Sequence, residues 1–301
     1  MKQITKTAQL VLSYFPAPAK NIIRKIMPLK LKRTLGQQVM TDAAKKGGVI
    51  AVNDGRRFNI IEDRLFLRVL FEKDYEPLLT AVATNLLKQK DNVIDVGANF
   101  GWYTTLFSKC VYPGKVISYE PAPRSSDILE QNIALNKMEA GIDVRKVCVG
   151  DEPGSLVLEL GSTSDSGLAH VVKEASKTTT EVPVVCLDDD ISNIIGEIAY
   201  IKIDVEGYEL STLKGAKKIL NVTDQPIIQI ELNNEALERA GTSRSEAVTF
   251  LKSFGYSFWE VVPNNPGKLK KTDAEQCSDV FCFGRGKYAQ RVHAISYYKE
   301  A

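Results

Sequence analysis

At 301 residues, with 44% hydrophobic and 25% charged residues, the chain is long enough and apolar enough to bury a substantial core. A formal charge of only +2 argues against an enzyme that grips nucleic acid along a basic cleft, and no apolar run is long enough to span a bilayer. The five cysteines, at 110, 148, 186, 277 and 282, lack paired metal-ligand spacing and are odd in number, which speaks against a cysteine-histidine zinc site or a disulfide scaffold and for buried thiols in a reducing cytoplasm.

The charge is unevenly spread. Lys2, Lys6, Lys20, Arg24, Lys25, Lys30, Lys32 and Arg33 precede the first acid, Asp42, and taking these eight from 39 bases leaves 31 against 37 acids. Interleaved with Ile4, Leu10, Val11, Leu12, Ile22, Ile23 and Ile26, they suit either an amphipathic helix on an anionic membrane surface or an arm packed on the domain. A signal peptide fits poorly, because Gln9 and Ser13 interrupt the apolar run and prolines crowd Ala17. Asn53-Asp54-Gly55, between apolar stretches, predicts a short hairpin. The layout expected is a basic extension with a hairpin over 1–75, a main domain over 76–285 and a polar tail over 286–301. The location expected is cytoplasmic, with peripheral contact at the inner membrane surface through the basic arm.

A helix is predicted from Glu76 to about Gln89, with Leu78, Leu79, Val82, Leu86 and Leu87 at helical spacing. Strands follow near 92–97, 115–120, 143–149, 198–204, 226–232, 256–262 and 278–283, with helices in most gaps. Ser162 to Thr180 is polar enough for a long loop. This alternation predicts a seven-stranded, mostly parallel sheet with helices on both faces, and a ligand site beyond the carboxyl ends of the strands.

Two strand ends carry the chemistry. Val93-Ile94-Asp95-Val96-Gly97-Ala98-Asn99-Phe100-Gly101 joins a buried strand to a glycine-paced turn that opens onto a helix, whose first amides would face a polar ligand. Its glycines stand four apart, so it is not the dinucleotide G-x-G-x-x-G turn. Glu120 closes the next apolar strand, where a carboxylate can take a ribose diol. An acidic strand end suits S-adenosylmethionine, with Asp95 toward its cationic amino-acid end and Glu120 toward its ribose.

The second strand end is Ile198-Ala199-Tyr200-Ile201-Lys202-Ile203-Asp204-Val205-Glu206-Gly207. Together with Asp95-Val-Gly-Ala-Asn99-Phe-Gly101, Tyr119-Glu120-Pro121, Leu187-Asp188 and Leu213-Lys-Gly215-Ala216, it stands in the order and spacing of FkbM-type S-adenosylmethionine-dependent methyltransferases, which the chain resembles from roughly Tyr75 to Gly284. The resemblance implies a Rossmann-like class I methyltransferase fold. It also implies cofactor contacts from Asp95, Gly97, Ala98, Asn99 and Gly101 to the methionine end and from Glu120 to the ribose, with Cys148 and Val149 either flanking the adenine or lining the core. Where the family often has a small or aliphatic residue, this chain has Trp102, whose size could narrow the entrance. No proline-proline-aromatic motif follows Asp204, which favours an oxygen acceptor by resemblance.

An alcohol acceptor must lose a proton as the methyl group arrives, so a carboxylate or histidine is expected at the site. Asp204 leads, with Glu206 on the same turn. The two could share a proton or hold a divalent cation, or Glu206 could cap the helix beginning near Glu209. His170, one of two histidines, has a side chain suited to base work near neutrality, and Lys202 could simply pair with an acid. The reading is an O-methyltransferase acting on a hydroxyl of a sugar, glycan or secondary metabolite, with no nucleic-acid partner. Two alternatives are a nicotinamide-dependent oxidoreductase, which NADH titration would reveal, and an inactive, membrane-associated module of the same fold.

Overall fold

The computed structural model describes residues 40–63, 66, 69, 72–160, 169–172 and 176–297. The basic arm expected over residues 1–35 lies outside them. The chain forms two compact units, one built on residues up to Tyr75 and the other on residues from Glu76 onward. In the first, β1 (Val49–Ala51) and β2 (Arg57–Asn59) pair antiparallel across Asn53-Asp54-Gly55. Gly55 has φ +88° and donates its amide to Val52, the geometry an Asp-Gly turn permits.

The second unit is an α/β fold. Its elements run α1 (Pro77–Leu86), β3 (Asn92–Val96), α2 (Trp102–Val111), β4 (Val116–Tyr119), α3 (Pro123–Asn136), β5 (Ile142–Arg145), β6 (Cys148–Val149), β7 (Gly154–Glu159), β8 (His170–Val172) and β9 (Thr179–Val185). Then follow α4 (Leu187–Asp190), β10 (Ile198–Ile203), α5 (Glu209–Lys214), β11 (Ile227–Glu231), α6 (Asn234–Arg239), α7 (Arg244–Ser253), β12 (Ser257–Val261), β13 (Leu269–Thr272) and β14 (Asp279–Phe283). The main sheet has the order β13-β12-β14-β11-β10-β3-β4-β5. From β11 through β5 neighbouring strands are parallel, whereas β14, β12 and β13 pair antiparallel. Every residue of β4 and β10 is buried, so both faces of the sheet are covered, as parallel strands require.

The sheet has eight strands rather than seven. β13 is the extra one: Leu269 through Thr272 fold back on β12, and Leu269 is held from its other side by backbone bonds with Ile295 and Tyr297. The single strand expected over 143–149 is also two strands. β5 pairs with β4 as far as Arg145, whose side chain reaches Asp190 and Asp143; the chain then leaves the sheet, and Cys148 and Val149 pair with β9.

That pairing starts a second, four-stranded sheet of order β6-β9-β7-β8, which replaces part of the loop expected over 162–180. Its signal was the alternation Glu181-Val182-Pro183-Val184, whose valines are buried while Glu181 and Pro183 are exposed. They join Ala122, Cys148 and Leu158 in a small core of their own. The polar tail expected over 286–301 is instead docked as far as the described residues go: Tyr288, Val292 and Ile295 are buried, and Arg291 makes a two-pronged pair with Asp91 and donates to the Leu86 carbonyl. No helix among the described residues is long and apolar enough to cross a membrane.

Candidate active site

The site forms where β4, β3, β10 and β11 end, at two strand-to-helix turns that stand back to back. The first is Gly97–Gly101. Gly97 has φ +84°, and a Cβ there would stand 1.8 Å from the carbonyl oxygen of Asp204, so glycine is required by the second turn as much as by any ligand. The amides are spent internally: Gly97 and Ala98 donate to the Tyr119 carbonyl, Asn99 to the Glu120 carboxylate at 2.7 Å, and Gly101 to Ala98. Those four donors are therefore closed to a phosphate, in keeping with a glycine spacing unlike that of a dinucleotide turn. Asn132, fully buried on α3, braces the turn by donating to the Phe100 carbonyl.

Glu120 is 6% exposed, and its carboxylate accepts from Asn99 and Ala122 amides, one on each oxygen. Burial pushes its pKa up to about 7 even though both amides pull it down. Asp95 is fully buried. One of its oxygens accepts from Thr104 at 2.6 Å, and the other has no hydrogen-bond partner. Burial raises Asp95 as well, opposed by the charge of Lys202. Asp95 thus acts on its surroundings by charge through the turn, not as an open carboxylate.

The second turn, Asp204–Gly207, gathers charge. Lys202, 4% exposed, places its ammonium 2.8 Å from Asp204 Oδ2 and 4.7 Å from the centre of the Tyr103 ring. Burial works against that ammonium, but Asp204, Asp95 and Glu76 together hold it firmly protonated. Asp204 is likewise opposed by burial, yet Lys202 and a hydrogen bond from Glu231 keep it below the ordinary carboxyl range. Glu231 is driven far above that range by burial and by the Asp204 charge, so it carries the proton of the pair. Among the described residues, Asp204, Glu206 and Glu231 form the one acidic group whose oxygens approach within 4.8 Å of one another.

Glu206 stands at φ +51°, and the N-cap position of α5 is Tyr208. That turn is held by Glu209, whose Oε1 accepts from the Val205 and Gly207 amides while its buried Oε2 has no hydrogen-bond partner. Burial raises Glu209 to about 7. Of the other expected residues, Val149 lies in the main core and Cys148 in the smaller one, where burial and then the Glu120 charge push the thiol up to about 12. His170 sits on β8, the edge strand of the smaller sheet, in register with Glu159, whereas Asp204 and Glu206 follow β10 of the main sheet. Trp102 is 3% exposed, with its indole N–H donating to Thr80 on α1, and so packs inward rather than narrowing an entrance.

Three residues were not anticipated. Glu231 ends the apolar run Ile227-Ile228-Gln229-Ile230 just as Asp204 ends β10, a signal that was readable in the sequence. Glu76, at φ +48° ahead of α1, accepts from the Tyr103 hydroxyl at 2.8 Å, and burial raises its pKa. Asp279 reaches the group only because β14 pairs antiparallel with β11, opposite Glu231.

The donor set suits a cationic ligand: carboxylates crowd the strand ends, buried oxygens of Asp95 and Glu209 have no hydrogen-bond partner, and the turn amides a pyrophosphate would need are committed elsewhere. Fold and site together define a Rossmann-like methyltransferase architecture. Residues 95–258 match the methyltransferase FkbM domain, more than half of the chain, and the chain belongs to that family. It is 27% identical over 173 residues to methyltransferase sdnD of Sordaria araneosa, covering 57% of this chain and 63% of that protein. It is 26% identical over 146 residues to hexuronic acid methyltransferase AglP of Haloferax volcanii, covering 47% and 57%. The aligned parts thus span about six-tenths of these relatives' lengths. Among solved structures, an O-methyltransferase from Bacillus cereus in complex with S-adenosylhomocysteine overlaps at 12% identity and TM-score 0.40, covering 90% of this chain and 98% of that one. An S-adenosylmethionine-dependent O-methyltransferase from Thermotoga maritima overlaps at 13% identity and TM-score 0.40, covering 80% and 78%.

Proposed function

We propose that this protein is an S-adenosylmethionine-dependent O-methyltransferase acting on a hydroxyl of a sugar, glycan or similar metabolite. Membership of the FkbM family supports methyl transfer, and the hexuronic acid named for one relative supports a sugar-like acceptor. The observation that carries the oxygen reading is the ion pair of Lys202 with Asp204 at the end of β10, beside proton-bearing Glu231.

S-adenosylmethionine, when bound, supplies a methyl group activated by its sulfonium. Glu120, pinned by two amides, would hold the ribose. The turn from Gly97 to Gly101, backed by the charge of Asp95, would hold the methionine end, and Cys148 and Val149 would border the adenine. Asp204 keeps a charged carboxylate at the mouth of the strand, where it can accept a hydrogen bond from the acceptor hydroxyl and take its proton. Lys202 fixes that carboxylate from below, and Glu231 donates one further hydrogen bond to it, which leaves acceptor capacity for the hydroxyl. The low proton affinity that Lys202 gives Asp204 makes it an orienting base whose pull matters late, as the oxygen loses its lone pair to carbon. A divalent cation at Asp204, Glu206 and Glu231 is the second way to polarise the hydroxyl, and chelator sensitivity distinguishes it.

Calorimetry and turnover test the reading together. Intact protein should bind S-adenosylmethionine and not NADH; Glu120→Ala should lose that binding, while Asp204→Asn should retain it and lose roughly 10²- to 10⁴-fold in turnover. Folded protein that ignores S-adenosylmethionine would sink the assignment. The expected membrane contact of the basic arm is checked separately, by flotation with anionic liposomes of full-length protein against a variant lacking residues 1–35.

A further inference from the structure

Two carboxylates of the sheet compete for Lys202. Asp204 follows it at the end of β10, and Asp95 is its register partner on β3, with both side chains on one face. Their needs are unequal. Asp95 is fully buried and its Oδ1 accepts no hydrogen bond, whereas the Asp204 side chain is 33% exposed and also accepts from Glu231. A buried carboxylate oxygen left unsatisfied costs more than one that water can reach, so the ammonium by itself would settle on Asp95. It stands instead 2.8 Å from Asp204 Oδ2.

The Lys202 ammonium rests over the Tyr103 ring, 4.7 Å from its centre, a desolvated cation on an aromatic face. That ring has little freedom. Its hydroxyl donates to Glu76 Oε2 at 2.8 Å and accepts from Gln229, whose amide oxygen takes the Tyr200 hydroxyl at 2.6 Å. Phe107 packs against the ring with centroids 5.5 Å apart, and Tyr103, Gln229 and Tyr200 are all buried. A one-way chain of hydrogen bonds thus runs from β10 through β11 and α2 to the turn ahead of α1, and such chains hold their members rigidly.

Glu76 is bent to complete it. At φ +48° and ψ +57° it occupies the left-handed region immediately before Pro77, which a non-glycine residue ahead of proline disfavours, and such strain persists only where the surroundings impose it. Its carboxylate makes no cap for α1 and goes to Tyr103. Tyr103 itself lies two residues beyond Gly101, in the first turn of α2. The ring under Lys202 is therefore placed by the same glycine turn that the proposed function gives to the methionine end of S-adenosylmethionine.

We infer that Tyr103, braced by Glu76, is a positioning residue for methyl transfer: its ring keeps the Lys202 ammonium on Asp204 and off Asp95, and so keeps the Asp204 carboxylate aimed at the acceptor hydroxyl. The task given to Asp204 rests on the function proposed above; the placement of Lys202 does not.

Crystal structures of the S-adenosylhomocysteine complexes of Tyr103→Leu, Tyr103→Phe, Glu76→Ala and Glu76→Gln read that placement directly. In Tyr103→Leu, Lys202 Nζ should lie within hydrogen-bond distance of Asp95 Oδ1 and outside it from Asp204, whereas Tyr103→Phe, which keeps the ring, and Glu76→Gln, which keeps an acceptor for the hydroxyl, should retain the Lys202–Asp204 pair. Glu76→Ala should shift the ring and the ammonium with it, and it carries the test if Tyr103→Leu does not fold. Nζ still on Asp204 in Tyr103→Leu, or ring and ammonium both unmoved in Glu76→Ala, overturns the inference.

Turnover is measured with methyl glucoside and methyl glucuronoside as acceptors, per S-adenosylhomocysteine site counted by calorimetry. Because a misplaced base slows the step without loosening the cofactor, kcat should fall about 10²-fold in Tyr103→Leu and less than about tenfold in Tyr103→Phe, with KM for S-adenosylmethionine within about threefold of wild type. A loss confined to KM or to the number of binding sites, with kcat per site kept, would make Tyr103 a structural residue only and also overturns the inference. Wild-type enzyme that methylates neither sugar counts against the O-methyltransferase reading, and the crystal structures then decide the placement of Lys202 without it.

Discussion

The two turns at the strand ends are built on opposite principles. Gly97–Gly101 is saturated: four of its amides are bound internally, Glu120 accepts two amides from different segments, and the turn needs glycine because the neighbouring chain occupies the place of a side chain. Asp204–Gly207 is charged: an acid held ionised by a buried lysine, a second acid holding a proton, and a buried Glu209 oxygen without a partner. A site needs both. The first turn supplies rigidity, and the second supplies groups whose protonation is not settled by the protein alone.

The contrast predicts effects of different sizes and kinds. Gly97→Ala should be the most damaging change, because it forces a side chain into the left-handed region and against the Asp204 carbonyl; a loss of more than about 5 kcal/mol in urea unfolding, or no folded protein, is expected. Lys202→Met leaves Asp95 and Asp204 without their cation and should cost about 3 to 5 kcal/mol in the same measurement. A cost below about 1 kcal/mol would show that the carboxylates discharge one another without the lysine.

Glu209 sharpens the comparison through pH. Its pKa is raised in the folded protein, so its neutral form favours folding; that contribution is complete below about pH 4.5 and is lost as pH rises through about 7. Glu209→Gln, which cannot ionise, should therefore gain on wild type by roughly 2 to 3 kcal/mol between pH 4.5 and pH 8. Urea melts at the two pH values check this, and a constant difference would contradict it. The smallest effect is expected at Asp188, which accepts from the Lys218 and Ile219 amides. Asp188→Ala should cost about 1 to 2 kcal/mol, as lost caps do, with S-adenosylmethionine binding unchanged.

Asp188 also shows what a shared motif can mean. Its amide donates to the Gly215 carbonyl, and a Cβ on Gly215 would stand 2.0 Å from the Gly150 carbonyl oxygen. Leu187-Asp188 and Leu213-Lys-Gly215-Ala216 are joined to each other by this contact, which gives both a structural role in the fold. The sequence alone could not separate these motifs from the catalytic one, since both read as an acid or glycine beside apolar residues.

What the linear sequence determined was whatever depends on neighbours within a few residues. Apolar runs ending in Asp95, Glu120 and Asp204 specify strands with acids at their carboxyl ends, the glycine spacing specifies a turn unlike a dinucleotide loop, and the order of the motifs specifies the family. Tertiary structure alone decided which acids meet. Glu76 comes from the turn ahead of α1, Glu231 from β11 and Asp279 from a strand running the opposite way, and parallel and antiparallel register put Glu231 and Asp279 on one face with Lys202. Tertiary packing also committed the turn amides, split one expected strand between two sheets and placed His170 on the smaller one. The physical reason is that charge and hydrogen bonding in a buried site are set by distances across strands, and a one-dimensional pattern records those distances only after the strands have paired.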